Sequence, residues 1–219
     1  MINKQVDSLA QAVAGVADGA TVAVGGFGLA GQPMALLAAL LDQGARGLTI
    51  VSNNAGNGDT GIAALLKAGR VRKVVCSYPR QVDSHVFDAL YRAGQVELEL
   101  VPQGNLAERL RAAGAGIGGF FTPTGYGTAL AEGKETRVIN GRGHVLEAPL
   151  PVDVALVHAD QGDRWGNLAY SKTAMNFNPV MAMAAQLTIA SVRELVPLGA
   201  LAPERVDTPG LFVQRLVQL

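Results

Sequence analysis

Thr21-Val22-Ala23-Val24-Gly25-Gly26-Phe27-Gly28-Leu29-Ala30-Gly31-Gln32-Pro33 is the stretch from which the fold of this 219-residue chain is read. The short apolar run at its start, with β-branched Thr21, Val22 and Val24, is a strand, and the small residues after it make a tight turn. Pro33 then opens residues 34–41, whose Ala/Leu content is helical. Proline is tolerated there because the first helical N–H has no partner to lose. Strand, glycine turn and helix form the first half of a βαβ unit, and the pattern repeats. Residues 48–51 are a strand and 62–68 a helix stopped by Gly69. Residues 73–76 are a strand, and 84–93 a helix stopped by Gly94. Residues 96–101 are a strand, and 105–113 a helix stopped by Gly114. Such alternation predicts an α/β fold, an open, mostly parallel sheet. The short, non-alternating strands predict helices on both of its faces.

The rhythm changes after Gly116. Residues 118–127 read as a long Gly/Pro/aromatic loop, and 138–140 with 144–147 flank Gly141-Arg142-Gly143 as a β-hairpin insertion. Residues 152–159 are a strong strand, 162–167 a polar turn, 179–186 helix-like, and 187–192 an apolar run completing the core. No internal repeat or linker interrupts the chain, so residues 1–219 are read as one domain.

Composition bounds the function. Hydrophobic residues make up 49% and charged residues only 16%, against roughly 25% in an average soluble domain. So little charge over so apolar a chain suggests that part of its surface is buried against a partner. The 27 glycines are not periodic and sit between apolar runs, which excludes collagen and disorder. With 18 basic and 18 acidic residues, the chain lacks the positive field that nucleic acids or anionic membranes draw on. Cys76, the single cysteine, lies in an apolar run and reads as a buried, inert thiol, with no disulfide framework or Cys-rich metal site. The three histidines, His85, His144 and His158, lack ligand spacing, so no metal is expected. The N-terminal residues lack the apolar stretch of a signal peptide, and no apolar run approaches the ~20 residues of a bilayer span. A cytoplasmic location is expected. Trp165 reads as a packing anchor, and Ser84, His85 and Asp88 lie too close on one helix for a hydrolase triad.

The residues 26–31 also fit the spacing G-x-G-x-x-G between a strand and a helix, the context of a dinucleotide fingerprint. Such a site needs an acidic residue for the ribose about 20 residues on. The second strand instead ends Ile50-Val51-Ser52-Asn53-Asn54, with no carboxylate before Asp59. An NAD(P)-binding oxidoreductase domain therefore stays only as an alternative of a different class, beside a non-catalytic thioester- or sugar-phosphate-binding domain.

A wider window, from Asp18-Gly19 through the strand to Gly25-Gly26-Phe27 and Gly31-Gln32-Pro33, closely resembles the first signature of the family I CoA-transferases. The segments Ser52-Asn53-Asn54-Ala55-Gly56, 101–109, 121–128 and 162–168 are similar to that family as well. The resemblance runs the length of the chain and is to the A (alpha) subunit of its two-chain bacterial members. It implies a ping-pong reaction through a glutamyl-CoA thioester, with no permanently bound cofactor and a CoA thioester as substrate.

The family carries that glutamate on the B (beta) subunit, in a Ser-Glu-Asn-Gly-type segment. None of the eight glutamates here lies in such a segment; Glu97 and Glu99 read as a solvated strand face. The nucleophile is therefore expected on a partner B chain, in an A2B2 assembly. What remains for this chain is positioning and charge stabilisation. The resemblance makes Gln103, at the turn after the fourth strand, the expected oxyanion or carboxylate donor; its other reading is a turn glutamine bonded to backbone. Residues Gly25, Gly26, Phe27, Gly28, Leu29, Ala30 and Gly31 are the expected CoA-binding loop. Asn53 and Asn54 are expected at the substrate, although two asparagines before a turn are also common turn chemistry. Arg80, in Ser77-Tyr78-Pro79-Arg80-Gln81, is expected to pair with a second carboxylate, since guanidinium groups bind carboxylates in a bidentate fork. Its other reading is a surface arginine. The resemblance implies succinyl-CoA as the donor and, with the segment around Arg80, 3-oxoadipate as the expected acceptor, with acetoacetate or another short 3-oxo acid as the alternative.

Overall fold

A computed structural model describes residues 2–219. Its first half runs α1 (Leu9–Val13), β1 (Thr21–Val24), α2 (Met34–Gln43), β2 (Leu48–Asn54), α3 (Ile62–Lys67), β3 (Val71–Tyr78), α4 (His85–Arg92), β4 (Glu97–Leu100) and α5 (Gln103–Ala115). The second half adds β5 (Phe120–Thr122), β6 (Thr136–Ile139), β7 (Arg142–Glu147), β8 (Val152–Asp163), β9 (Leu168–Ala169), α6 (Asn178–Ala184), β10 (Ala185–Val196) and β11 (Arg215–Gln218). The main sheet has the order β11-β10-β8-β1-β2-β3-β4, with β9 paired to β8. Every neighbouring pair along that order is parallel; only β9 runs against its partner.

The pleat sorts each strand between two apolar layers. Val22, Val24, Ile50, Val74 and Cys76 pack with Leu36 and Leu40 of α2, Leu65 of α3 and Phe87 of α4. Their alternates Ala23, Val51 and Val75 pack with Leu106 and Leu110 of α5 and Met181 and Ala182 of α6. This period of two on a doubly covered sheet is why the strands look uniformly apolar in sequence. Each fully buried Leu contributes about 1.5–3 kcal/mol, so the two layers are the main source of stability. The strand order also reverses direction at β1, which lies between β2 and β8. In open α/β sheets the crevice outside the strand ends at such a point is where ligands bind.

Several local expectations are corrected. Gly114 does not stop a helix: α5 passes through it to Ala115 and ends at Gly116, which adopts φ 70°. Gly114 is instead a contact, since a Cβ there would lie 2.6 Å from Met183 Cβ of α6. The insertion is a three-stranded antiparallel sheet, β5-β7-β6, because Phe120–Thr122 of the expected loop pairs with β7. Its hairpin turns at Asn140-Gly141, both with positive φ, one residue earlier than the Gly-Arg-Gly reading. Such two-residue turns match the twist of the flanking strands. The insertion is fixed to the main body by Glu147, 3% exposed, which accepts from Asn105 Nδ2 at 3.1 Å and Lys134 Nζ at 2.8 Å. Helix α1 and strand β11 add to the expected elements; they cover and extend the far edge of the sheet beside β10.

Candidate active site

The parallel strands deliver their carboxyl ends to one edge, and the expected site residues gather there unequally. Asn53 and Asn54 are adjacent, so the pleat sends them to opposite faces. Asn53 follows Val51 onto the α5/α6 face, where it is fully buried and donates to Ser77 Oγ at 2.9 Å. Its Oδ1 has no hydrogen-bond partner. Asn54 points the other way and accepts the Gly56 N–H at 2.8 Å, which is turn chemistry. Asn53 lines the cleft at the strand ends, and Asn54 is absent from its wall.

The glycine loop after β1 is held by two asparagines that carry no signal in the sequence. Asn176 Oδ1 accepts the Gly26 N–H at 3.1 Å, and its Nδ2 donates to Ala30 O at 3.0 Å. Asn178, fully buried at the start of α6, donates to Gly31 O at 3.1 Å and accepts the His158 N–H at 3.2 Å. Gly25 must be glycine, because a Cβ there would sit 1.9 Å from Asn178 Oδ1. Phe27 and Ala30 exchange backbone hydrogen bonds at 3.0 and 3.1 Å, closing the loop into a narrow tip. The side chains of Phe27 and Leu29 project from it, 49% and 70% exposed. Nothing local in the sequence connects Asn176 to a loop about 150 residues earlier; only the sheet order brings them together.

Two adjoining clefts share Phe27 and Gln103. One, of about 350 Å³, adds Asn53, Ser77, Tyr78 and Gln81. The other, of about 360 Å³, adds Ala107, Asn176, Phe177 and Val180 and is the more apolar. Gln103 stands exposed as the first residue of α5, directly after Pro102, and lines both clefts. No charged side chain lines either cleft. Arg80 lies outside both, 60% exposed, its Nε donating to Asp88 Oδ1 of α4 at 2.8 Å. The residue after it, Gln81, is the one that reaches the cleft wall.

None of the eight glutamates lines the clefts either. Glu147 is held by Asn105 and Lys134, and Glu99 pairs with Lys73 at 2.6 Å and Arg109 at 3.0 Å rather than standing as a solvated face. Cys76 is fully buried, and burial pushes its thiol up to about 12. A thiol that stays protonated is a poor nucleophile, as the apolar run suggested. His158 is half-buried, its Nδ1 3.0 Å from Ser191 Oγ, and burial holds its pKa below the usual value. Trp165 does not anchor its turn, being 46% exposed. Asp163 does, accepting the Trp165 N–H at 2.9 Å and Asn167 Nδ2 at 2.8 Å. Among the described residues, no three His, Cys, Asp or Glu side chains are gathered as a metal site, and no helix is long and apolar enough to cross a membrane. The clefts therefore offer amides, hydroxyls and apolar walls. They can orient a carboxylate and stabilise an oxyanion, and no carboxylate of this chain lines them.

Comparisons with known proteins give the family of the chain. The family described as Coenzyme A transferase matches residues 6–219. The chain is 66% identical to the 3-oxoadipate CoA-transferase A subunit of Pseudomonas putida, over 99% of this chain and 94% of that protein. It is 51% identical to the succinyl-CoA:3-ketoacid coenzyme A transferase A subunit of Xanthomonas campestris, over 98% of this chain and 88% of that one. Among solved structures, glutaconate coenzyme A-transferase from Acidaminococcus fermentans shares the fold, with a TM-score of 0.85 at 24% identity over 98% of this chain and 75% of that chain.

Proposed function

Because the chain belongs to the coenzyme A transferase family, we propose that it is the A subunit of a two-chain enzyme that moves CoA from succinyl-CoA to 3-oxoadipate. The observation that carries this reading is the 66% identity to the Pseudomonas putida protein over 99% of this chain. The cleft supports it physically, since a reaction on a glutamate cannot run on a wall that contains none. The glutamate comes from a B subunit that closes over this edge, in an A2B2 assembly working in the cytoplasm.

The balanced sequence has two mirrored halves. A glutamate carboxylate of the partner attacks the succinyl-CoA carbonyl, expelling the CoA thiolate and leaving a mixed anhydride. The thiolate then attacks the glutamyl carbonyl, so succinate leaves and CoA stays on the enzyme. The acceptor carboxylate repeats both steps in reverse, taking the CoA and freeing the glutamate. Splitting one exchange in this way is what covalent catalysis achieves. Each carbonyl attack builds an oxyanion, and Gln103, at the junction of the two clefts, donates to it or to the reacting carboxylate. The polar cleft with Asn53 seats the acid, and the apolar one beside the 25–31 loop takes the pantetheine arm.

The test is to purify this chain alone and with the product of a neighbouring gene carrying a Ser-Glu-Asn-Gly-type segment, and to follow CoA exchange from succinyl-CoA. Exchange is expected only from the pair, with 3-oxoadipate preferred over acetoacetate. Full activity from this chain alone would overturn the split site. Preference for acetoacetate would overturn the acceptor and favour the activity that the Xanthomonas campestris relative is named for.

A further inference from the structure

The proposed acceptor carries a second carboxylate, yet the polar cleft has no charged wall. Arg80, the nearest cation in sequence, is engaged by Asp88 outside it. The side chain that does reach the wall is Gln81, and two contacts fix how it does so. Its backbone N–H donates to Ser84 Oγ at 2.8 Å, and that buried hydroxyl is anchored on Gly56 O at 3.2 Å. Its side-chain Oε1 accepts from Asn57 Nδ2. With Oε1 turned to Asn57, the other end of the amide is Nε2, a donor. Gln81 lines only the polar cleft, whereas Gln103 lines both. If the reacting carboxyl lies at Gln103, where the clefts meet, Gln81 faces the far end of the acid.

Resting on the acceptor reading above, we infer that Gln81 is a specificity-determining residue whose Nε2 donates to the distal carboxylate of the acceptor. Asn57 is the positioning residue that decides which end of that amide faces the cleft. A neutral donor suits an enzyme that must release the acid each cycle, because it gives directional recognition without a full ion pair in a part-buried wall.

The experiment compares acceptors in the assembled pair. In a ping-pong reaction kcat/KM for the acceptor reports the second half-reaction alone, so 3-oxoadipate and acetoacetate are directly comparable. Gln81→Met keeps the length and removes the donor, and its kcat/KM for 3-oxoadipate is expected to fall about 10- to 100-fold, mainly through KM, the usual worth of a hydrogen bond to a charged group. The loss with acetoacetate, which has no distal carboxylate, is expected to be far smaller. Gln81→Glu should discriminate more strongly by repulsion. Asn57→Ala should reproduce part of the selective loss and add little to Gln81→Met, as residues acting through one another do. Gel filtration with the partner checks assembly, and Gln81→Asn, with a shorter amide, supplies an intermediate case if Gln81→Met fails to assemble. Equal losses on both acceptors, or a selective loss from Arg80→Ala with none from the Gln81 variants, would overturn the inference while leaving the transferase reading intact. A native pair that transfers CoA to neither acid would overturn that reading and this inference together.

Discussion

The role proposed for Gln103 comes from its surroundings. It is an ordinary glutamine at a helix start, but the sheet places it where a polar and an apolar cleft meet. Replacing it with Ala should lower kcat of the assembled enzyme by about 100- to 1000-fold with little change in KM, the effect of losing one oxyanion donor. Steady-state kinetics checks this, and a kcat within about threefold of the native value would rule out the donor role. At this scale the sequence is legible by resemblance rather than by chemistry. Asn53 and Asn54 are inseparable until the pleat sends one to the cleft and the other to Gly56. Arg80 and Gln81 are likewise separable only because Asp88 holds the guanidinium.

At the scale of elements, the alternating strands and helices of residues 21–113 are readable because short apolar runs, glycine stops and Ala/Leu-rich segments act locally. Gly114 resists that reading because its reason is not local. A glycine inside a helix usually gains roughly 0.5–1 kcal/mol on replacement by Ala. Here a Cβ would press within 2.6 Å of Met183 Cβ and Met183 O, forcing α5 and α6 apart. Gly114→Ala is therefore expected to destabilise the chain by about 1–3 kcal/mol, as overpacking does. Urea unfolding measures it, and an increase in stability would show that the helix contact yields freely. Strand β11 is silent in the sequence for a related reason: four residues carry too little pattern, and their register comes from pairing with β10. The clamp of Asn176 and Asn178 on the glycine loop is the same kind of fact, a local shape decided by distant residues.

For the whole molecule, part of the exposed apolar surface lies at the edge that carries the clefts. Phe27, Leu29, Tyr78 and Met175 stand exposed there, an apolar surface suited to another chain. Hydrogen–deuterium exchange should show the amides of residues 27–31 and 171–176 protected about tenfold or more on pairing with the B subunit, while the buried strands change little. Protection confined to another face would move the interface between the two chains away from this edge.

By itself the sequence determined the α/β class and the alternation of strands and helices over residues 21–113, and its resemblance gave the family and the absence of a glutamate in a nucleophile segment. The elements follow from local propensity and hydrophobic period, and the family from motifs, none of which needs knowledge of neighbours in space. Only the tertiary structure decided which of two adjacent asparagines meets the cleft, that Gln81 rather than Arg80 lines it, and what holds the glycine loop. Each of these depends on strand order and pleat direction, which in the case of the loop bring residues more than a hundred positions apart within hydrogen-bond distance.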